Sequence, residues 1–161
     1  MNDAMLNQSI NRCDELKALV EKIWSQKKIY FEELVPSRLK TLGAVYIIAL
    51  RDTDEVLYVG RTKDLKRRLY TNHLMGNEST ARLKKYLTKD NLLKIFATKK
   101  KADFPDVNDR DGKKVAYQLA KDFIKEKGYF RFIEVDESRN RGLFEAGLTY
   151  ALNTKFLEEE H

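Results

Sequence analysis

Residues 43–76 limit the possible folds more than any other stretch. Two apolar runs, 44–50 and 56–60, flank the polar break Arg51-Asp52-Thr53-Asp54-Glu55. Short runs rich in Val, Ile and Tyr around such a break predict a β-hairpin. Each run carries one tyrosine, Tyr46 and Tyr58, so strand pairing would bring two phenols into one region. After Gly60 the periodicity changes to that of a helix. Asp64 is placed to cap it, Leu65, Leu69 and Leu74 supply an inward stripe, and Gly76 is placed to end it. The same helix carries Lys66, Arg67, Arg68, Asn72 and His73. Two phenols, an arginine and a histidine beside one hairpin outline a candidate site.

The charge pattern points to the same region. Residues 61–101 hold thirteen Lys and Arg against Asp64, Glu78 and Asp90. Residues 1–60 carry eight basic and nine acidic side chains, and residues 102–161 carry ten and thirteen. The net charge of +6 is therefore concentrated just after the hairpin. A concentrated positive field is what phosphate binding requires, because neutralising phosphates and releasing counterions dominates nucleic-acid affinity.

The flanking segments read as follows. Residues 3–34 form one long helix or two short ones, with Leu16, Leu19, Val20 and Ile23 at helical spacing before Pro36 and Ser37 break the pattern. Trp24 is expected in the core, and the segment as a whole to pad the core, to dimerise or to contact substrate. A second helix is expected over 79–89, capped by Ser79 or Asn77, with Leu83, Tyr86 and Leu87 inward and Arg82, Lys84, Lys85 and Lys89 outward. Residues 92–98 read as a short strand. Asp106, Asn108, Asp109 and Asp111 imitate part of a calcium loop. Counting back from Gly112, however, puts Val107 first and Gln118 twelfth, where that loop needs Asp and Glu, so a solvated turn is expected. Helices follow over 113–127, with Val115, Leu119, Phe123 and Ile124 on one face, and over 139–151, with Leu143, Phe144, Leu148 and Ala151 buried. A third strand, 129–135, lies between them. The order predicts an α+β domain, a small antiparallel sheet covered by helices.

At 161 residues the chain can bury a core without metal or disulfide staples, and Cys13 is its one cysteine. No apolar run approaches the roughly 18 to 20 residues of a membrane span. The N-terminus lacks the basic start and apolar block of a signal peptide. The expectation is an intracellular, cytoplasmic protein.

Ala44-Val45-Tyr46 and Tyr58-Val59-Gly60, with Arg68 ten residues after the second tyrosine, resemble the signature of the GIY-YIG nuclease family. The resemblance implies a three-stranded antiparallel sheet flanked by helices. The nuclease-like domain would span 43–157, and residues 1–42 would be a helical extension. It also implies a metal-dependent endonuclease that hydrolyses phosphodiester bonds in DNA. Glu145 matches the family's metal-binding glutamate, with Mg²⁺ or Mn²⁺ as cofactor. Arg68 matches the arginine that stabilises the phosphate, and Tyr46 the tyrosine that accepts a proton from the attacking water, with Tyr58 in support. The catalytic set is thus Tyr46, Tyr58, Arg68, His73 and Glu145. Arg61, Lys63, Arg67, Arg82, Lys84, Lys85 and Lys89 are the candidates for binding DNA.

Three positions depart from the family pattern. Ala44 replaces a glycine. Leu157 stands where the family often has an asparagine, with Asn153 nearby but not equivalent. The family histidine lies four residues after the arginine; here Asn72 holds that place and His73 follows, about 100° away on an α-helix. These departures define the alternative, a catalytically impaired nucleic-acid-binding protein that keeps the fold. A third reading is an interaction module that binds a partner protein or a second copy through its N-terminal helices.

Overall fold

The structure, a computed structural model, describes residues 3–77 and 79–157. The expected hairpin is present. Strands β2 (Ala44–Leu50) and β3 (Val56–Thr62) pair antiparallel, with Tyr46 opposite Gly60 and Ile48 opposite Tyr58. Side chains two apart on a strand share a face, so the two tyrosines are diagonal neighbours. Their ring centroids lie 6.3 Å apart. Strand β4 (Gly128–Glu134) pairs with β2 along its whole length. β2 is therefore central, and it is apolar at successive positions because both of its faces are covered.

A two-residue strand, β1 (Ile29–Tyr30), adds to the far edge of β4 and gives the order β1-β4-β2-β3. The sheet thus has four strands rather than three, within the expected α+β class. The first helix, α1 (Asp3–Ser25), is continuous and stops before this strand, so Tyr30, Phe31 and Leu34 lie outside it. The cause is tertiary. Arg131 on β4 donates to the carbonyls of Trp24 and Gln26 at the end of α1 and lies over the Trp24 ring. Local periodicity carries no sign of such a contact.

The two faces of the sheet carry different cores. On one, Ala44, Tyr46, Ile48 and Tyr58 meet Leu65, Leu69, Leu83 and Phe123. On the other, Val45, Ile47 and Val59 meet Leu19 and Ile23 of α1 and Leu148 of α5 (Ser138–Ala151). The first face is covered by a π-helix (Arg67–Leu74), α2 (Arg82–Leu87), α3 (Asn91–Lys99) and α4 (Arg110–Lys127).

Several local expectations change. Residues 92–98 lie in helix α3, not in a strand: Asp90 accepts the Leu92 N–H at 2.8 Å as its N-cap, and Leu93, Phe96 and Ala97 are buried at helical spacing. α2 begins at Arg82, because Ser79 and Thr80 are held in a turn around the Asn77 side chain. α4 starts at Arg110 under an Asp109 cap, and its core face is Ala116, Ala120, Phe123 and Ile124, leaving Val115 56% exposed. On α5, Leu148 is buried and Phe144 partly so, but Leu143 is 54% exposed and Ala151 is also exposed. The acidic segment before α4 is the solvated turn expected, with Asp106 accepting the Asn108 N–H at 2.9 Å. Among the described residues, no helix is long and apolar enough to cross a membrane.

Candidate active site

The site begins with the hairpin register. Tyr46 faces Gly60, where a Cβ would fall 2.4 Å from the Tyr46 hydroxyl and 2.8 Å from the Tyr58 ring. Glycine at that position leaves the space both phenols occupy. Tyr46 and Tyr58 are both fully buried.

The next helix supplies their partners. The Thr62 hydroxyl accepts the Asp64 N–H at 3.0 Å, and Asp64 accepts the Arg67 N–H at 2.9 Å, which caps the helix as expected. From Arg67 to Leu74 the helix is wound as a π-helix, with the Met75 N–H bonded to the Tyr70 carbonyl at 3.0 Å. A π-helix bonds each residue to the fifth along, where an α-helix bonds to the fourth. Positions five apart therefore come onto one face. Leu69 and Leu74 are such a pair, and both are buried. Arg68 and His73 are another.

The displaced histidine is thus brought back by the wider helix. The Tyr46 hydroxyl lies 2.8 Å from His73 Nε2. Arg68 Nε donates to that hydroxyl at 3.1 Å, and an Arg68 terminal nitrogen donates to the Tyr58 hydroxyl at 3.3 Å. The His73 ring stands edge-on to both phenols, with centroids 5.7 Å from Tyr46 and 5.3 Å from Tyr58. Asn72 remains part-exposed beside this cluster.

Burial sets the protonation states. It pushes His73 down to about 3, with the charges of Arg68 and Lys84 acting in the same direction, so the imidazole is neutral. Burial also raises the Tyr46 phenol. Tyr58 and the Glu145 carboxylate add to that rise, and Arg68 opposes it by charge and by hydrogen bond. Arg68 is itself held charged: burial works against it, but its bonds to the two phenols outweigh that and raise its pKa. Arg68 can only donate, so the Tyr46 oxygen accepts from it, and the His73 tautomer decides which partner carries the proton in the remaining bond.

Glu145 reaches the site from the other face of the sheet. α5 is tied to the end of β4 by Arg141, which donates to the Val135 and Asp136 carbonyls at 2.8 and 2.6 Å. Leu148 packs the same helix under β2. Glu145 is then paired with Arg61 Nε of β3 at 3.0 Å, their side chains 26% and 52% exposed. A Cβ at Gly142 would fall 2.4 Å from the Arg61 guanidinium, so glycine lets Arg61 lie across α5. Glu145 lies close enough for its charge to act on Tyr46. No group of three or more His, Cys, Asp or Glu is gathered among the described residues. A single, partly exposed carboxylate such as Glu145 fits a hard cation that keeps most of its water, as Mg²⁺ does.

Of the basic candidates, Arg61, Lys63, Arg67, Arg82, Lys85 and Lys89 are exposed. Lys84 is not, and its expected outward face is corrected: it is 3% exposed and donates to the Leu74 carbonyl at 3.0 Å. α2 is a short helix wedged between the π-helix and α4, and Lys84 falls on the side facing α4. Cations of α4 that segment-wide charge totals conceal lie there too. A helical plot of Arg110, Lys113, Lys114 and Lys121 would have found them. Ala44 is buried in β2, whereas Asn153 and Leu157 are both exposed.

Residues 42–110 match the family model described as the GIY-YIG catalytic domain. No curated protein and no solved structure matches the chain. The matched stretch takes in Tyr46, Tyr58, Arg68, His73 and all seven basic candidates, and it ends before Glu145.

Proposed function

We propose that this protein, whose residues 42–110 match the GIY-YIG catalytic domain, is a metal-dependent endonuclease that hydrolyses phosphodiester bonds in DNA. The observation that carries this reading is the convergence of Arg68 and His73 on one buried tyrosine hydroxyl. Hydrolysis needs an activated water and positive charge on the phosphoryl oxygens. Arg68 supplies the charge with a planar fork suited to phosphate. As folded, that fork lies on both phenols and covers them. A bound phosphate competes for the guanidinium and draws it off, which uncovers the Tyr46 hydroxyl.

Tyr46 then takes a proton from the attacking water as its own phenolic proton passes to His73 Nε2. Withdrawal of Arg68 favours this transfer, because the Arg68 charge is one of the influences that hold the His73 pKa down. Glu145 and water would hold Mg²⁺ or Mn²⁺, with Arg61 released from the ion pair. Such a cation would supply positive charge beside the phosphate and reverse the sign of the field that Glu145 exerts on Tyr46. Arg61, Lys63, Arg67, Arg82, Lys85 and Lys89 would carry the flanking DNA backbone.

Nicking of supercoiled plasmid with and without Mg²⁺ tests the proposal. Wild-type protein is expected to nick only with the metal. Glu145→Gln keeps the shape of the side chain but loses the charge that holds a hard cation. It is expected to abolish nicking while leaving DNA affinity equal or slightly higher. Wild-type protein that binds DNA but never nicks it would establish the impaired, binding-only alternative.

A further inference from the structure

We propose that Lys84 is a positioning residue: from α2 it holds the end of the π-helix and so keeps the His73 imidazole on the Tyr46 hydroxyl. That this contact serves cleavage rests on the nuclease reading. Lys84 is buried, unlike the other basic candidates, and is not placed to meet a phosphate of a bound strand. Its ammonium instead donates to the Leu74 carbonyl at 3.0 Å. Leu74 is the last residue of the π-helix and follows His73 directly.

The contact is built from both sides. The carbonyls in the last turn of a helix have no partner within the helix, and their partial negative charge favours a cation. After the π-helix the chain turns back at Asn77, whose carbonyl accepts from Thr80 and Ala81 at 3.2 and 2.8 Å. That turn leads into α2, where Leu83 and Leu87 are fully buried and seat the helix on the core. Lys84 is thereby aimed at the helix end, with its ammonium 5.6 Å from the centre of the Tyr117 ring of α4. It also acts on His73 by charge, helping to keep the imidazole neutral.

Packing alone does not account for a lysine at this position. A buried ammonium loses its hydration, and an apolar side chain of similar volume often fills such a place as well or better. The penalty is visible in Lys84 itself: burial, with the charge of Lys121, lowers its pKa to about 8. What an apolar side chain lacks is a donor for the Leu74 carbonyl. The bond that makes the turn wide, from the Met75 N–H to the Tyr70 carbonyl at 3.0 Å, lies at this same end. A buried carbonyl left unpaired there is costly, so the end would re-pair. Re-pairing toward the four-residue spacing of an α-helix takes Arg68 and His73 off their shared face.

The test is nitrogen NMR of the histidine side chains, which needs no cleavage; the chain has two, His73 and His161. Tyr46→Phe gives the His73 Nε2 signal without its partner. Lys84→Met, of similar volume but with no donor, is expected to move the wild-type signal toward that position. Nicking at saturating DNA should then fall roughly ten- to a hundredfold, as expected when a catalytic group is misplaced. DNA affinity, read by fluorescence anisotropy in EDTA, should stay within about twofold, because no phosphate contact is lost. Lys84→Arg keeps the charge and a donor and should bring signal and rate back toward wild type. Leu19→Ala weakens the core on the other face of the sheet and should leave the His73 signal in place. If Lys84→Met is misfolded by circular dichroism, Lys84→Gln replaces it; its amide is one bond shorter and should move the signal in the same direction. A His73 signal that the Lys84 variants leave unmoved overturns the proposal, and so does a moved signal beside wild-type nicking. Both results leave the nuclease reading standing. Wild-type protein that never nicks DNA overturns the nuclease reading, and the His73 signal still decides whether Lys84 positions the imidazole.

Discussion

The two halves of the candidate site are held by opposite physics. Tyr46, Tyr58 and His73 are sealed in the core under Arg68, and burial outweighs every other influence on the protonation of Tyr46 and His73. Arg61 and Glu145 are paired at 3.0 Å in partial contact with solvent. A buried hydrogen-bonded group resists change, because an unmade bond there costs its full desolvation. A surface ion pair contributes little and exchanges partners readily. Under the proposed reading, the contrast separates a buried proton path, Tyr46 with His73, from a carboxylate that would trade Arg61 for a metal ion.

Substitutions can break that contrast. After the loss of nicking expected for Glu145→Gln, the largest effect is expected from Tyr46→Phe, which removes a hydroxyl bonded to both Arg68 and His73. Nicking should fall by about 10² to 10⁴, the usual contribution of general acid–base catalysis. Urea denaturation should show a loss of about 1 to 3 kcal/mol from the orphaned buried partners. Full activity would shift the proton acceptor to Tyr58.

His73 should leave a mark on stability against pH. Its folded pKa, about 3, lies below the ordinary histidine value of about 6.5. The unfolded chain therefore binds the extra proton between those limits. The contribution of this group is complete above the unfolded value and is lost as pH falls toward the folded one. Between pH 7 and pH 5 the loss should be about 2 kcal/mol, and His73→Gln should remove that part of the slope. Urea curves at the two pH values measure it.

The smallest effect belongs to the exposed pair. Arg61→Ala should change stability by no more than about 0.5 kcal/mol, since exposed pairs are weak and screened. Its mark should appear in the metal titration instead. Nicking should need less Mg²⁺ once Glu145 has no arginine to release. A higher Mg²⁺ requirement would mean that Arg61 helps to form the metal site.

Local signals made the hairpin, the paired tyrosines and the Asp64 cap legible in the sequence. Each is decided within a few residues. The strand misplaced at 92–98 had its own counter-signal, the cap at Asp90 followed by apolar positions 93, 96 and 97 at helical spacing. The α-helical period of 3.6 does not reveal the π-helix. Two pairs five residues apart, Arg68 with His73 and Leu69 with Leu74, were the clue to a wider turn. The burial of Lys84 and the edge strand β1 depend on partners far along the chain, and no local pattern reports them.

The π-helix puts His73 on the Tyr46 hydroxyl, and a change of helix register is the sharpest probe of that placement. The exchange Asn72→His with His73→Asn restores the family spacing on paper but, in a π-helix, turns the imidazole away. Deleting Asn72 shortens the turn to α-helical spacing and keeps both five-apart pairs on one face. Plasmid nicking rates of the two proteins should diverge, with the exchange falling at least a hundredfold and the deletion staying within tenfold of wild type. An exchange variant as active as wild type, beside an inactive deletion, would mean that the π turn is not what brings the imidazole to Tyr46.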